Sequence, residues 1–277
     1  MSVPSGVAIR PAALGDDLRR FVSLTWALAA TEFKLSFFGS ALGYLWSLMR
    51  PLMLFGVLYV VFSQVIKFGA GIKHYPVYLL ASIVLFTYFS ETTSGGVKSL
   101  VTRENLLRKM RFPRMVIPLS VSLTALFNLG MNMAAVLVFA LISGVQPRLS
   151  WLQLPFLVLI LAVLSVGLAM LLSALYPRYR DLSPIWDVVL QILFYASPIL
   201  YVLSLVPDEY ERAFLINPLA VVLTQMRHAF LDPSAPTAAE AIGPDVMLLL
   251  PLAIVAGFFA LGLWVFNRET PRIAENL

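Results

Sequence analysis

A chain of 277 residues that is 60% hydrophobic and 13% charged, with mean hydropathy +0.85, cannot hide its apolar surface in a water-soluble core. The bilayer must therefore be its solvent, and the length fits one integral membrane domain with no appended globular module. A formal net charge of +5 with no cysteine excludes a disulfide framework and a thiolate metal site, and leaves the distribution of charge as the informative quantity.

Residues 1–20 read as a cytoplasmic tail, because Pro4, Gly6, Pro11 and Gly15 oppose regular structure. No apolar h-region is visible there, so no cleavable signal peptide is predicted. Residues 21–43 read as an N-terminal amphipathic helix lying in the headgroup plane. The stretch is apolar with Trp26, Phe33, Phe37 and Phe38, yet Glu32 and Lys34 interrupt it. Gly39 and Gly43 give the chain a close turn before the first crossing.

Residues 44–266 are predicted to form an all-α domain of six transmembrane helices. The spans run over 44–66, 75–93, 116–142, 152–175, 185–206 and 246–266, each near the ~20 residues that cross a hydrocarbon core. Gly95-Gly96 reads as the end of the second. Between spans five and six, residues 213–218 and 219–231 are apolar but too short to cross. They are predicted to be two short re-entrant helices on the external side, with Leu215, Leu219, Val222, Leu223, Met226 and Phe230 sharing a face. Residues 232–244 read as a Pro- and Ala-rich loop, and 267–277 as a second cytoplasmic tail.

Orientation follows from the basic residues. The segment from Val97 to Arg114 carries six of them, Lys98, Arg103, Arg108, Lys109, Arg111 and Arg114. Leu100, Leu107 and Met110 interrupt the charges at helical spacing. With six spans, 15 Lys and Arg fall on the side of this segment and both termini, and 5 on the other. Positive loops stay in the cytoplasm, so both termini are predicted to be cytoplasmic.

Residues that carry chemistry in soluble enzymes are missing. Gly95-Gly-Val-Lys-Ser99 lacks the spacing of a phosphate-binding loop, so ATP is not expected to bind this chain. His74 and His228 lie far apart and suggest no metal site. Polar residues within spans are few: Glu91, the pair Asn128 and Asn132, and the pair Asp187 and Gln191, each pair at i, i+4. They fit interhelical hydrogen bonds or placement at the interface, and no carboxylate relay of a proton-coupled carrier crosses the membrane. Ala162, Ser165, Ala169 and Ser173 form a small-residue packing stripe on span four. Aromatic side chains are more suggestive. Phe55, Tyr59 and Phe62 share a face of span one, and Phe194, Tyr195 and Tyr201 punctuate span five. Such rings fit either core packing or stacking on the apolar faces of sugars.

Four segments together resemble the permeases of polysaccharide-exporting ABC transporters. They are Phe33 to Pro51, which contains Gly39-Ser-Ala-Leu-Gly-Tyr-Leu-Trp46; Glu104-Asn-Leu-Leu-Arg-Lys-Met-Arg-Phe-Pro113; Tyr179-Arg-Asp181 followed by Phe194-Tyr-Ala-Ser-Pro-Ile-Leu-Tyr201; and Asn217-Pro218 with Arg227. The order and spacing agree over roughly residues 20–270. The resemblance implies a homodimer of six-span subunits in the inner membrane of a bacterium, carried on two copies of a separate ATPase. ATP and Mg would sit on that partner, with no cofactor in this chain and no role for nucleic acid. It implies export of a glycan linked to a polyprenyl carrier, such as O-antigen, teichoic acid or a cell-wall galactan. On this reading Arg103, Glu104, Asn105, Leu106, Leu107, Lys109, Phe112 and Pro113 couple to the ATPase, with the interfacial helix as a second contact. Phe55, Tyr59, Phe62, Phe194, Tyr195 and Tyr201 line the glycan path, and Lys34 and Arg50 receive the diphosphate headgroup. The competing readings are a permease for a drug or small lipid, an ion- or proton-coupled carrier, and a membrane-bound glycan-processing enzyme.

Overall fold

A computed structural model describes residues 18–38, 43, 45–67, 71–104, 113–243 and 245–276. They are mostly helical, with no strand among them. In chain order the helices are α1 (Leu18–Phe37), α2 (Leu45–Tyr59), α3 (Tyr75–Thr102), α4 (Val116–Ile142), α5 (Gln153–Leu175), α6 (Leu182–Ala196), α7 (Asp208–Phe214), α8 (Pro218–Met226), α9 (Ala238–Ile242) and α10 (Asp245–Asn276). Wider π-turns extend α2 over Val60–Val65 and α8 over Arg227–Leu231.

Four stretches are long and apolar enough to cross a membrane: Leu45–Val65, Val116–Ile142, Leu149–Leu175 and Leu249–Glu269. They correspond to predicted spans one, three, four and six. The other two predicted spans differ in character. Helix α3 has the length, at 28 residues, but its second half carries Ser90, Glu91, Thr92, Thr93 and Ser94. It is the central helix, buried without a break from Val77 to Leu85, so protein rather than lipid surrounds it. Helix α6 stops at Ala196 after 15 residues, which is about 22 Å and short of a ~30 Å hydrocarbon core. Ser197 is extended, as a residue before proline prefers, and Pro198 has no N–H to continue the ladder. The continuous span predicted over 185–206 is therefore a helix followed by an irregular buried strap.

The prediction that Gly95-Gly96 ends the second span is corrected, because α3 runs on to Thr102. These glycines serve close packing instead. A Cβ on Gly95 would lie 2.8 Å from Val121 Cγ1, and one on Gly96 would lie 2.6 Å from Ala169 Cβ. Ser165, Ala169 and Ser173 are fully buried, as the small-residue stripe on α5 predicts. Apolar surface gains little by leaving lipid for protein, so close backbone approach and dispersion hold such helices together.

Helices α7 and α8 replace the predicted pieces at 213–218 and 219–231. The boundary moves because Asn217 caps α8, its side chain accepting from the amide of Leu219, with Pro218 in the first turn. The supposed loop 232–244 contains α9, which a reciprocal capping box between Thr237 and Glu240 starts. The predicted tail beyond 266 continues as helix to Asn276.

Three apolar clusters organise the bundle. The largest surrounds α3 with residues of α4, α5, α6, α8 and the strap. A second lies at the end of the bundle bearing Arg103, where Phe21, Leu100, Ile117, Met170 and Phe266 bring five helices together. A third joins Leu203, Leu215, Ala220 and Ile242 beneath the short helices.

Candidate functional site

At the basic end, α3 terminates at Arg103, whose side chain gathers three partners. Its Nη1 donates to Ile117 O at 3.2 Å and to Ser120 Oγ at 3.0 Å. Its Nη2 forms an ion pair with Glu32 of α1. Burial draws the Arg103 guanidinium down to about 10, which still leaves it cationic at neutral pH. Of the other proposed coupling residues, Glu104 is half-buried and Pro113 precedes α4. Asn105, Leu106, Leu107, Lys109 and Phe112 lie outside the described residues, as does the turn 39–42.

Helix α1 rests on α4. Thr124 Oγ1 donates to Ala29 O at 3.3 Å, and the ring of Phe127 meets Trp26 at 5.2 Å and Phe33 at 5.5 Å, both edge-on. Beside Glu32, a cleft of about 390 Å³ opens between α1, α3 and α4. Its polar lining consists of Glu32, Ser36, Glu91, Thr124 and Asn128. Asn128 Nδ2 donates to Glu91 Oε2 at 3.1 Å, the interhelical bond expected of an asparagine within a span. The lining offers acceptors and negative charge, which does not suit a diphosphate. Lys34 and Arg50, expected to receive that headgroup, are both exposed, and Arg50 lies within electrostatic reach of Glu91.

The two aromatic groups pack against the same large cluster. Phe55 stacks on Tyr59 at 5.6 Å and meets Phe139 edge-on at 5.9 Å, while Phe62 is half-buried beside them. Phe194 packs edge-on against Phe86 at 5.2 Å. Tyr195 is 60% exposed, and Tyr201 OH donates to its carbonyl at 3.1 Å. On α6 the apolar residues Ile185, Val188, Ile192 and Tyr195 form an exposed stripe, and Asp187 and Gln191 are exposed too.

At the far end, two tyrosines of α3 hold the strap after α6. Tyr75 OH donates to Leu200 O at 2.7 Å, and Tyr78 OH donates to Pro198 O. Asn217 Nδ2 bonds Ser197 Oγ at 2.9 Å, which joins the end of α6 to the start of α8. Ser150 Oγ and Trp151 Nε1 donate to the carbonyls of Ala229 and Phe230 in the π-turn. Asn217→Ala should therefore lower stability by about 1–2 kcal/mol through the lost cap and crosslink. Differential scanning fluorimetry in detergent measures this directly.

Sequence reasoning named Arg103 but missed its partners. The visible signal was Glu32, a carboxylate that with Lys34 interrupts a largely apolar helix, yet the pair is 71 residues apart. Tyr75 and Tyr78 gave no signal beyond being aromatic.

Lipid-length helices around a buried polar one, with cationic side chains gathered at one end, define a multi-pass membrane protein of the permease kind. The chain belongs to the ABC-2 type transporter family, whose profile matches residues 23–231. It is 29% identical over 263 residues to the O-antigen export system permease protein RfbA of Myxococcus xanthus, covering 94% of this chain and 98% of that protein. A protein of the same name from Klebsiella pneumoniae is 26% identical over 249 residues, with 89% and 92% covered. The polysialic acid transport protein KpsM of Escherichia coli is 24% identical over 210 residues, covering 74% of this chain and 80% of its own.

Proposed function

We propose that this chain is the transmembrane subunit of an ATP-driven exporter that moves a lipid-linked polysaccharide out of the cytoplasm across a bacterial inner membrane. The observation that carries this reading is the near full-length similarity to permeases named for O-antigen export. In the working exporter α3 and α6 complete six crossings with the four lipid-length helices, and both termini face the cytoplasm, in line with the charge bias. The α7 and α8 helices dip in from outside, and α1 lies at the headgroup level.

ATP hydrolysis resides on a separate subunit, two copies of which carry a homodimer of this chain. The thin burial of α2, with Pro51 alone buried, and of α6, with Leu190 alone buried, supports a second copy against these faces. The segment 104–113 receives the ATPase and converts its closure into helix movement. Phe55, Tyr59 and Phe62 with Phe194, Tyr195 and Tyr201 form the wall along which sugar rings pass, their flat faces suited to stacking. Lys34 and Arg50 take up the phosphates of the carrier at the cytoplasmic rim through charge-assisted hydrogen bonds.

The test is complementation. The chain and the ATPase encoded beside it should restore surface polysaccharide to cells lacking their own exporter, and neither should do so alone. Tyr59→Ala should cut export severalfold at matched membrane level, whereas alanine at the exposed Leu159 should not. Stimulation of the ATPase by a drug or a small lipid, with no response to glycolipid, would favour the smaller-substrate permease.

A further inference from the structure

We propose that Arg103 is a positioning residue that transmits movement of the basic segment to helix α1 through Glu32, instead of a contact for the ATPase itself. The inference rests on the exporter reading above, which supplies the ATPase, and the geometry at Arg103 supplies the linkage.

The guanidinium sits at the base of the basic segment and ties its two stems together. Arg103 ends the α3 stem, and its Nη1 holds Ile117 O and Ser120 Oγ in the first turns of the α4 stem. Ser120 Oγ donates in turn to Ile117 O at 2.8 Å, so the acceptor side is itself fixed. From the same planar group Nη2 reaches Glu32 on α1. The fork of an arginine can serve three acceptors in fixed directions, which a single lysine ammonium cannot reproduce. The side chains are 16% and 26% exposed for Arg103 and Glu32, so water screens the pair incompletely. Removing either partner leaves a poorly solvated charge without compensation.

Helix α1 rests on the bundle along one side, and the ion pair holds it beside the cleft. Only Phe21 and Ala29 are buried in its 20 residues, and the cleft separates it from α3 and α4 just beside Glu32. Between Phe21 and the cleft, Leu24 and Leu28 pack against the apolar cluster at this end, and α4 meets the helix at Ala29 and Phe127. A displacement of the basic segment shifts the stems at Arg103 and Ile117. The Glu32 carboxylate follows the guanidinium, and α1 moves over α4 with the cleft taking up the difference. Arg103 faces inward to these partners, which leaves the docking surface to the rest of the segment.

The test uses the full complex of this chain with its ATPase in nanodiscs. Since the chain has no cysteine, spin labels can be placed at Leu35 on α1 and Ile142 on α4, both exposed. Glu32→Gln and Arg103→Gln should retain ATPase binding and basal hydrolysis. They should lose the nucleotide-dependent distance change between the labels, and export should fall about tenfold, the size of an ordinary coupling between sites. The charge swap Glu32→Arg with Arg103→Glu should recover part of both losses that either single reversal shows, which separates linkage from misfolding. Wild-type distance shifts and export in Glu32→Gln would overturn the proposal. So would loss of ATPase binding in Arg103→Gln, which would make Arg103 a docking residue. A wild-type chain that binds no ATPase would overturn the exporter reading itself, together with this role for the pair.

Discussion

Gly262→Leu will leave little folded protein in the membrane, while Gly257→Ala on the same helix will accumulate normally. The tightest approach in the bundle lies between α5 and α10. A Cβ on Gly262 would collide with the carbonyl of Gly167, and a Cβ on Gly167 would lie 2.6 Å from Phe259 Cα. Both obstacles are backbone, so no rotamer change relieves them, and the helices themselves must separate. That separation would forfeit the dispersion contacts which replace a hydrophobic driving force within lipid. Overpacking of this kind costs about 3 kcal/mol or more when nothing yields. Gly257 has nothing within 4 Å of its would-be Cβ, and alanine is the better helix former there. Fluorescence-detected size-exclusion of a tagged protein reads the outcome. A sharp, wild-type peak for Gly262→Leu would show that α5 and α10 do not pack in this way.

The second large effect is expected at the strap after α6. Tyr78→Phe should loosen residues 197–202 while the rest of the bundle stays intact. Tyr78 is fully buried, and besides Pro198 O its hydroxyl reaches Tyr201 O at 3.2 Å. Phenylalanine fills the same volume but leaves buried carbonyls short of a donor, a loss of about 1–3 kcal/mol. Tyr75→Phe should add to it by releasing Leu200 O. Hydrogen exchange followed by mass spectrometry should show faster exchange at 199–206 in these variants and no change in α5. Tyr179→Phe, at an exposed position, serves as the control and should exchange as wild type. Uniform acceleration across all helices would mean that Tyr78 supports the whole core instead of the strap.

The spans that could be read from the chain are those whose environment is lipid on at least one side. Residues 116–142 agree with the expected boundaries because the run is apolar, follows Pro113, and ends where Gly144 takes a left-handed conformation. The two that differed are α3, which protein surrounds, and α6, which stops early at a buried strap. Helix α3 tolerates Glu91, Thr92 and Thr93 because neighbours supply partners, Asn128 for Glu91 and Trp186 for Thr93. Helix α6 can stop short because Tyr75, Tyr78 and Asn217 supply hydrogen bonds to the strap beyond its end. These partners lie 20 to 125 residues away in the chain, and no local periodicity encodes them.

The candidate site divides along the same line. Composition and the clustering of Arg and Lys determined that this is a multi-pass membrane protein with a basic segment at one end, since transfer free energy and charge bias depend on residue type alone. The aromatic residues of spans one and five were legible as a group, but their packing onto Phe139 and Phe86 was not. Glu32 was legible only as an oddity in an apolar helix. Its pairing with Arg103, the closure of the two stems through Ile117 and Ser120, and the use of Gly95 and Gly96 for close approach were decided by tertiary structure. Each depends on which helices become neighbours, and lipid-compatible surfaces are too alike for the sequence by itself to rank those choices.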